Sequence, residues 1–133
     1  MHISLDRLDE AHKALLTETK TLIETLSQTL SLYVQDPASH SLQALPEYLK
    51  ELSGAALFLG SSAQQTALLT AANFAQNRLN QNLALDAEQV NCILNVVAGL
   101  DLLVDNLKNK QPVLQSMFDV ALSSSQQLQN IAA

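Results

Sequence analysis

Apolar residues recur along the first part of the chain at the three- and four-residue spacing of a helix buried on one side. Leu5, Leu8, Leu15, Leu22, Leu26, Leu30 and Val34 form the stripe, and Leu16 and Ile23 widen it. Ser4 is placed as the N-cap, Asp6 in the favourable first turn, and Asp36-Pro37 ends the element. A second helix starts between Ser39 and Leu45 and runs to about Leu59, with Pro46 giving it an irregular or kinked start. Gly60 stops it, and Ser61 or Ser62 caps a third helix that buries Ala67, Leu68, Ala71, Phe74, Ala75 and Leu79. That helix ends in the turn-prone Asn80-Gln81-Asn82. Asp86 opens a fourth helix and Gln89 completes a reciprocal capping pattern; Val90, Ile93, Leu94, Val97, Leu100, Val104 and Leu107 supply its apolar face. After the break at Asn109-Lys110-Gln111-Pro112, a fifth helix carries Val113, Leu114, Met117, Ala121, Leu128 and Ile131 and weakens toward a Ser/Gln-rich end. Long amphipathic helices with short breaks predict an all-α, antiparallel up-down bundle, a four-helix core plus a fifth helix, as one domain over residues 1–133.

Gly54 is the residue that most needs a reason. Within a helix a glycine costs about 1 kcal/mol relative to alanine. At 100° per residue Leu45, Leu49, Leu52, Ala56 and Leu59 share one face, and Gln43, Glu47, Lys50, Gly54 and Leu57 share the opposite one. The glycine therefore faces away from the core, where it suits close approach by another molecule. Phe58 falls at the edge of that face and within reach of the core.

The run from Leu49 to Gly60 resembles the second helix of histidine phosphotransfer domains. Leu52, Gly54, Ala55, Ala56, Leu59 and Gly60 match that family's motif. Lys50 stands where the phosphorylated His belongs, and Ser53 where the motif has Lys. The resemblance implies the bundle fold and a docking face, and argues against phosphotransfer itself. Leu83-Ala84-Leu85-Asp86-Ala87-Glu88 is similar to the family's short lead-in to its fourth helix, and the likeness covers residues 30–108. The segment Tyr33-Val34-Gln35-Asp36-Pro37 narrows it. An aromatic-Val-x-Asp-Pro run ahead of a motif lacking its His resembles degenerate members in type IV pilus chemosensory kinases, and an adaptor similar to their N-terminal part. The chain is read accordingly, alone or as the N-terminal domain of a longer protein.

Composition narrows the partners. A net charge of −6 disfavours nucleic acid and anionic membrane surfaces. Few glycines, prolines and aromatics agree with a helical chain. The lone Cys92 allows no internal disulfide and fits a reducing, cytoplasmic setting. No run of consecutive apolar residues approaches the roughly 18 of a membrane span, and the acidic start reads as no signal peptide.

No catalytic constellation, metal set or cofactor motif is found. Cys92 has no His spaced to join it, and no Glu-x-x-His pair projects inward. Phosphotransfer needs an exposed imidazole beside a positive charge, and none of His2, His12 and His40 has both. Glu18, Glu24, Asp101 and Asp105 are read as solubilising. Gln64, Gln65, Gln76 and Asn77, then Gln115, Gln126, Gln127 and Gln129, are read as uncharged outward faces. The leading expectation is a non-catalytic module whose partner, a receiver domain or another chemosensory or pilus signalling protein, meets Glu47, Lys50, Ser53, Gly54 and Leu57. The alternatives are a true phosphocarrier using His12 or His40 and a generic bundle adaptor or oligomerisation unit. Oligomeric state stays open.

Overall fold

The computed structural model describes residues 5–36, 42–112 and 115–132. Ser4 and Pro37 lie outside them, as do Ser39, Val113 and Leu114. The described residues form five α-helices and no strand: α1 Leu5–Gln35, α2 Leu45–Phe58, α3 Ser62–Asn80, α4 Ala87–Lys108 and α5 Asp119–Ala132. A 3-10 turn, Gln115–Phe118, leads into α5.

Helices adjacent in sequence lie side by side through short links, so the chain runs up and down. α1 packs on α2 and α4, α2 on α3, and α3 on α4, closing a four-helix ring; α5 lies against both α3 and α4. Lys13 near the start of α1 lines a cleft with Leu59 after α2 and Leu107 in α4. At the other end Tyr33, Leu45, Leu79 and Leu85 line a second cavity. These groupings require alternating helix directions. Leu26, Leu30, Leu49, Leu52, Leu68, Ile93, Leu100 and Leu128 are fully buried at the centre. α4 is long and apolar enough by length and composition to cross a membrane, yet half of that window is buried among its neighbours. It is the central helix of the bundle, with Val90, Cys92, Ile93, Val96, Val97, Leu100, Leu103 and Val104 inside.

The helix boundaries follow local chemistry. Ser61 caps α3 by accepting from Gln64 N at 3.1 Å, and Asp86 and Gln89 form the reciprocal capping box of α4. Pro46 sits in the first turn of α2, where its missing N–H costs nothing. The irregular start lies just before it, in a turn closed by Leu45 N donating to Leu42 O at 3.1 Å. α2, α3 and α4 all end alike. Gly60 (φ 94°), Asn82 (φ 54°) and Lys110 (φ 54°) take the left-handed conformation. The next residue's N–H returns to the carbonyl five back: Ser61 to Ala56, Leu83 to Arg78 and Gln111 to Asn106, at 2.8–2.9 Å. The Ser/Gln-rich tail continues the helix, and Ser124 and Ser125 are buried within it.

Gln64 departs from the sequence reading. It is fully buried, not part of an outward face, and its Nε2 donates to Val96 O at 2.6 Å. Its Oε1 lies against Gly99, where a Cβ would run into it and come within 2.8 Å of Ala121 Cβ. At Gly99, therefore, α3, α4 and α5 pack too closely to leave room for a side chain. Asp101 and Asp105 also do more than solubilise, since both accept from Lys20 of α1, at 2.6 and 3.3 Å.

Candidate functional site

The outward face of α2 is set by the leucines on its other side. Leu45, Leu49, Leu52 and Ala56 are buried, which turns Glu47, Lys50, Gly54 and Leu57 to solvent. A Cβ built on Gly54 meets nothing within 4 Å. No neighbour within the bundle therefore requires glycine, and its φ is that of ordinary helix. Leu57 is 52% exposed and Phe58 65% exposed, so the C-terminal end of this face is apolar. The N-terminal half carries Glu47 and Lys50. A charged rim beside an apolar patch, with a flat backbone between, is the composition of a protein-docking surface.

Two residues change place relative to the sequence reading. Ser53 is 4% exposed, and its hydroxyl donates to Lys50 O at 2.6 Å. It stands four residues after Leu49 and three before Ala56, so helical spacing alone carried the signal that it faces inward. Ser53 supports the face from behind and contributes almost nothing to its exposed surface. Phe58 does the reverse: it belongs to the exposed surface with Leu57.

The histidines add no geometry to this face. His2 and His40 lie outside the described residues, and so does the side chain of His12. Among the described residues no group of three His, Cys, Asp or Glu side chains is placed to hold a metal ion. Cys92 is buried, with its thiol 3.5 Å from Gln127 Oε1. Burial, with Glu88 and Asp86 adding to it, pushes the Cys92 thiol's pKa up and keeps it protonated.

Tyr33, the aromatic residue of the Tyr33–Pro37 segment, is 7% exposed and plays a structural part. Its hydroxyl accepts from Leu85 N at 3.1 Å and fixes the link between α3 and α4 to the end of α1. Arg78 reinforces the same link, donating to Ala84 O and Gln89 Oε1, both at 3.3 Å, with its guanidinium 5.7 Å from the centre of the Phe74 ring. Sequence spacing offered no sign of these long-range contacts.

Compared with known proteins, residues 6–125 match the family model of the FimL C-terminal domain. No curated protein and no solved structure matches the chain.

Proposed function

The chain belongs to the FimL C-terminal domain family, one of type IV pilus chemosensory adaptors, and from that premise we propose that it is a non-catalytic docking module of such a pathway. In this reading its α2 face receives a receiver domain or another signalling protein in the cytoplasm. The observation that carries the proposal is Gly54, a helix-interior glycine on an exposed face with open space around it. Its cost to the helix, about 1 kcal/mol relative to alanine, is not repaid inside the molecule. A partner backbone or side chain seated on that spot, between Lys50 and the Leu57–Phe58 patch, supplies the reason.

Lys50 occupies the position at which the similar phosphotransfer domains carry their phosphorylated His. An ammonium is no phosphoryl acceptor under this chemistry, but it is suited to pair with a carboxylate of a partner seated on this face. The face keeps the recognition and has lost the reaction.

The test is an NMR titration of the isotope-labelled domain with receiver domains of its own organism. Shifts should cluster on Glu47, Lys50, Gly54, Leu57 and Phe58. Gly54→Arg should abolish them while leaving the thermal transition close to that of the wild type. Shifts elsewhere with this face silent would remove the proposal, and so would an acid-labile phosphate appearing on a histidine after incubation with the phosphorylated pathway proteins.

A further inference from the structure

The ring of α1–α4 closes without α5, which lies outside it against α3 and α4. Beneath α5 the ring carries an unmet polar atom. Gln64 is fully buried and its Nε2 donates to Val96 O at 2.6 Å, but its Oε1 has no hydrogen-bond partner among the described residues. That oxygen and the Cβ of Ala121 converge on the open side of Gly99, so α5 forms the roof over it.

A buried carbonyl oxygen without a donor is a standing cost, because it has given up its hydrogen bond to water and gained none. The Nε2 bond joins α3 to α4 and does not involve α5, so it survives when α5 leaves. The oxygen meets water at that moment and the cost is relieved. The buried side of α5 points the same way. Among its described side chains Ala121, Ser124, Ser125 and Leu128 are buried, and the two serine hydroxyls are groups that water solvates well. Beside Leu128, a cleft of about 200 Å³ bordered by Thr70, Asn73, Asn77 and Gln129 runs along the seam between α3 and α5. On the other seam, toward α4, the buried Cys92 thiol lies 3.5 Å from Gln127 Oε1.

We propose that α5 is a releasable helix: in the native protein it lifts off α3 and α4 as one unit while the ring of α1–α4 stays closed, and the unpaired Gln64 oxygen is what loosens it. Lifting uncovers Gln64, Gly99 and Cys92. It leaves the α2 face in place, so the device does not rest on how that face is used.

Native-state hydrogen exchange and thiol labelling of the whole chain test this. Cys92 is the only cysteine, so a maleimide reports one position. The amides of Ser124, Ser125 and Leu128 should share one opening constant, at least about tenfold larger than that of Leu52, Ile93 and Leu100, with a smaller dependence on urea. Cys92 should react through the same opening. Gln64→Met keeps the volume and removes the unpaired oxygen, while Val96 O stays bonded within α4. It should slow both readouts about tenfold. Gly99→Ala crowds Gln64 and Ala121 and should speed them. Three results would overturn the proposal. The first is α5 amides that exchange only with the ring and with the ring's urea dependence. The second is Cys92 reacting while those amides stay protected, which would mean a movement of the Gln127 side chain alone. The third is an α5 opening unchanged in Gln64→Met, which would reduce the motion to fraying from the helix end.

Discussion

Gly54 and Gly99 show how much the surroundings of a residue decide. Both sit inside helices, where alanine is intrinsically better by about 1 kcal/mol. At Gly54 the added methyl meets nothing within 4 Å, so Gly54→Ala should stabilise the fold by roughly 0.5–1 kcal/mol. At Gly99 the methyl would run into Gln64 Oε1 and lie 2.8 Å from Ala121 Cβ. Gly99→Ala should therefore destabilise by about 1–3 kcal/mol. Urea unfolding of the two variants checks both signs, and equal shifts would refute the packing argument. The outward direction of Gly54 was legible in the sequence because it follows from the period of its own helix. The burial of Gln64 was half legible. Three, four and seven residues ahead of Ala67, Leu68 and Ala71, it lies on the apolar stripe, and only its amide argued otherwise. The reason for Gly99 was not legible, because it needs Gln64 and Ala121 from two other helices.

The helix ends were the most readable part of the chain. The Asp86–Gln89 box, the Ser61 cap and the Gly60 stop each depend on residues a few positions apart. The left-handed conformation at the ends of α3 and α4 was marked less plainly, because Asn82 and Lys110 hold it without glycine's freedom. Asparagine tolerates this region, and lysine does so at a cost. Lys110→Gly should accordingly raise stability by about 0.5–1 kcal/mol, seen as a higher melting temperature. Gly60→Ala should lower it by a similar amount, since Gly60 has φ 94°. The two changes test the same closing motif in opposite directions. An Lys110→Gly protein that melts earlier would mean that the lysine's charge near the α4 carboxyl end outweighs its backbone strain. What local chemistry could not reveal was the contact between distant elements, such as the tie from Tyr33 to Leu85, which depends on the bundle as a whole.

At the scale of the whole molecule, α1 is held to α4 and to the link before it by its buried stripe and by two polar ties far apart along its length. Near its end, the Tyr33 hydroxyl accepts from the buried Leu85 N–H. Thirteen residues earlier, about 20 Å along the axis, Lys20 reaches Asp101 and Asp105. The two ties differ in kind and should respond differently. Tyr33→Phe leaves a buried N–H without a partner and should cost about 1–2 kcal/mol at any salt concentration. Lys20→Met removes a partly exposed ion pair and should cost less than about 1 kcal/mol, shrinking as salt is added. The hydrogen bond to Asp101, followed by the Asp105 hydrogen bond and both charges, outweighs the burial that opposes it and raises the Lys20 pKa. A raised amine pKa gives a contribution that is complete below the unfolded value and disappears only as pH climbs through the folded one. Titration of Lys20 should therefore leave stability unchanged around neutrality and weaken it only in strongly alkaline solution. Because the ties share no partner and lie far apart, the double variant should lose the sum of the two single losses. Hydrogen exchange should report where: faster at Leu85 in Tyr33→Phe, and unchanged there in Lys20→Met. A double variant that loses much more than the sum would mean that either tie alone keeps α1 docked and that α1 detaches as a unit only when both are cut.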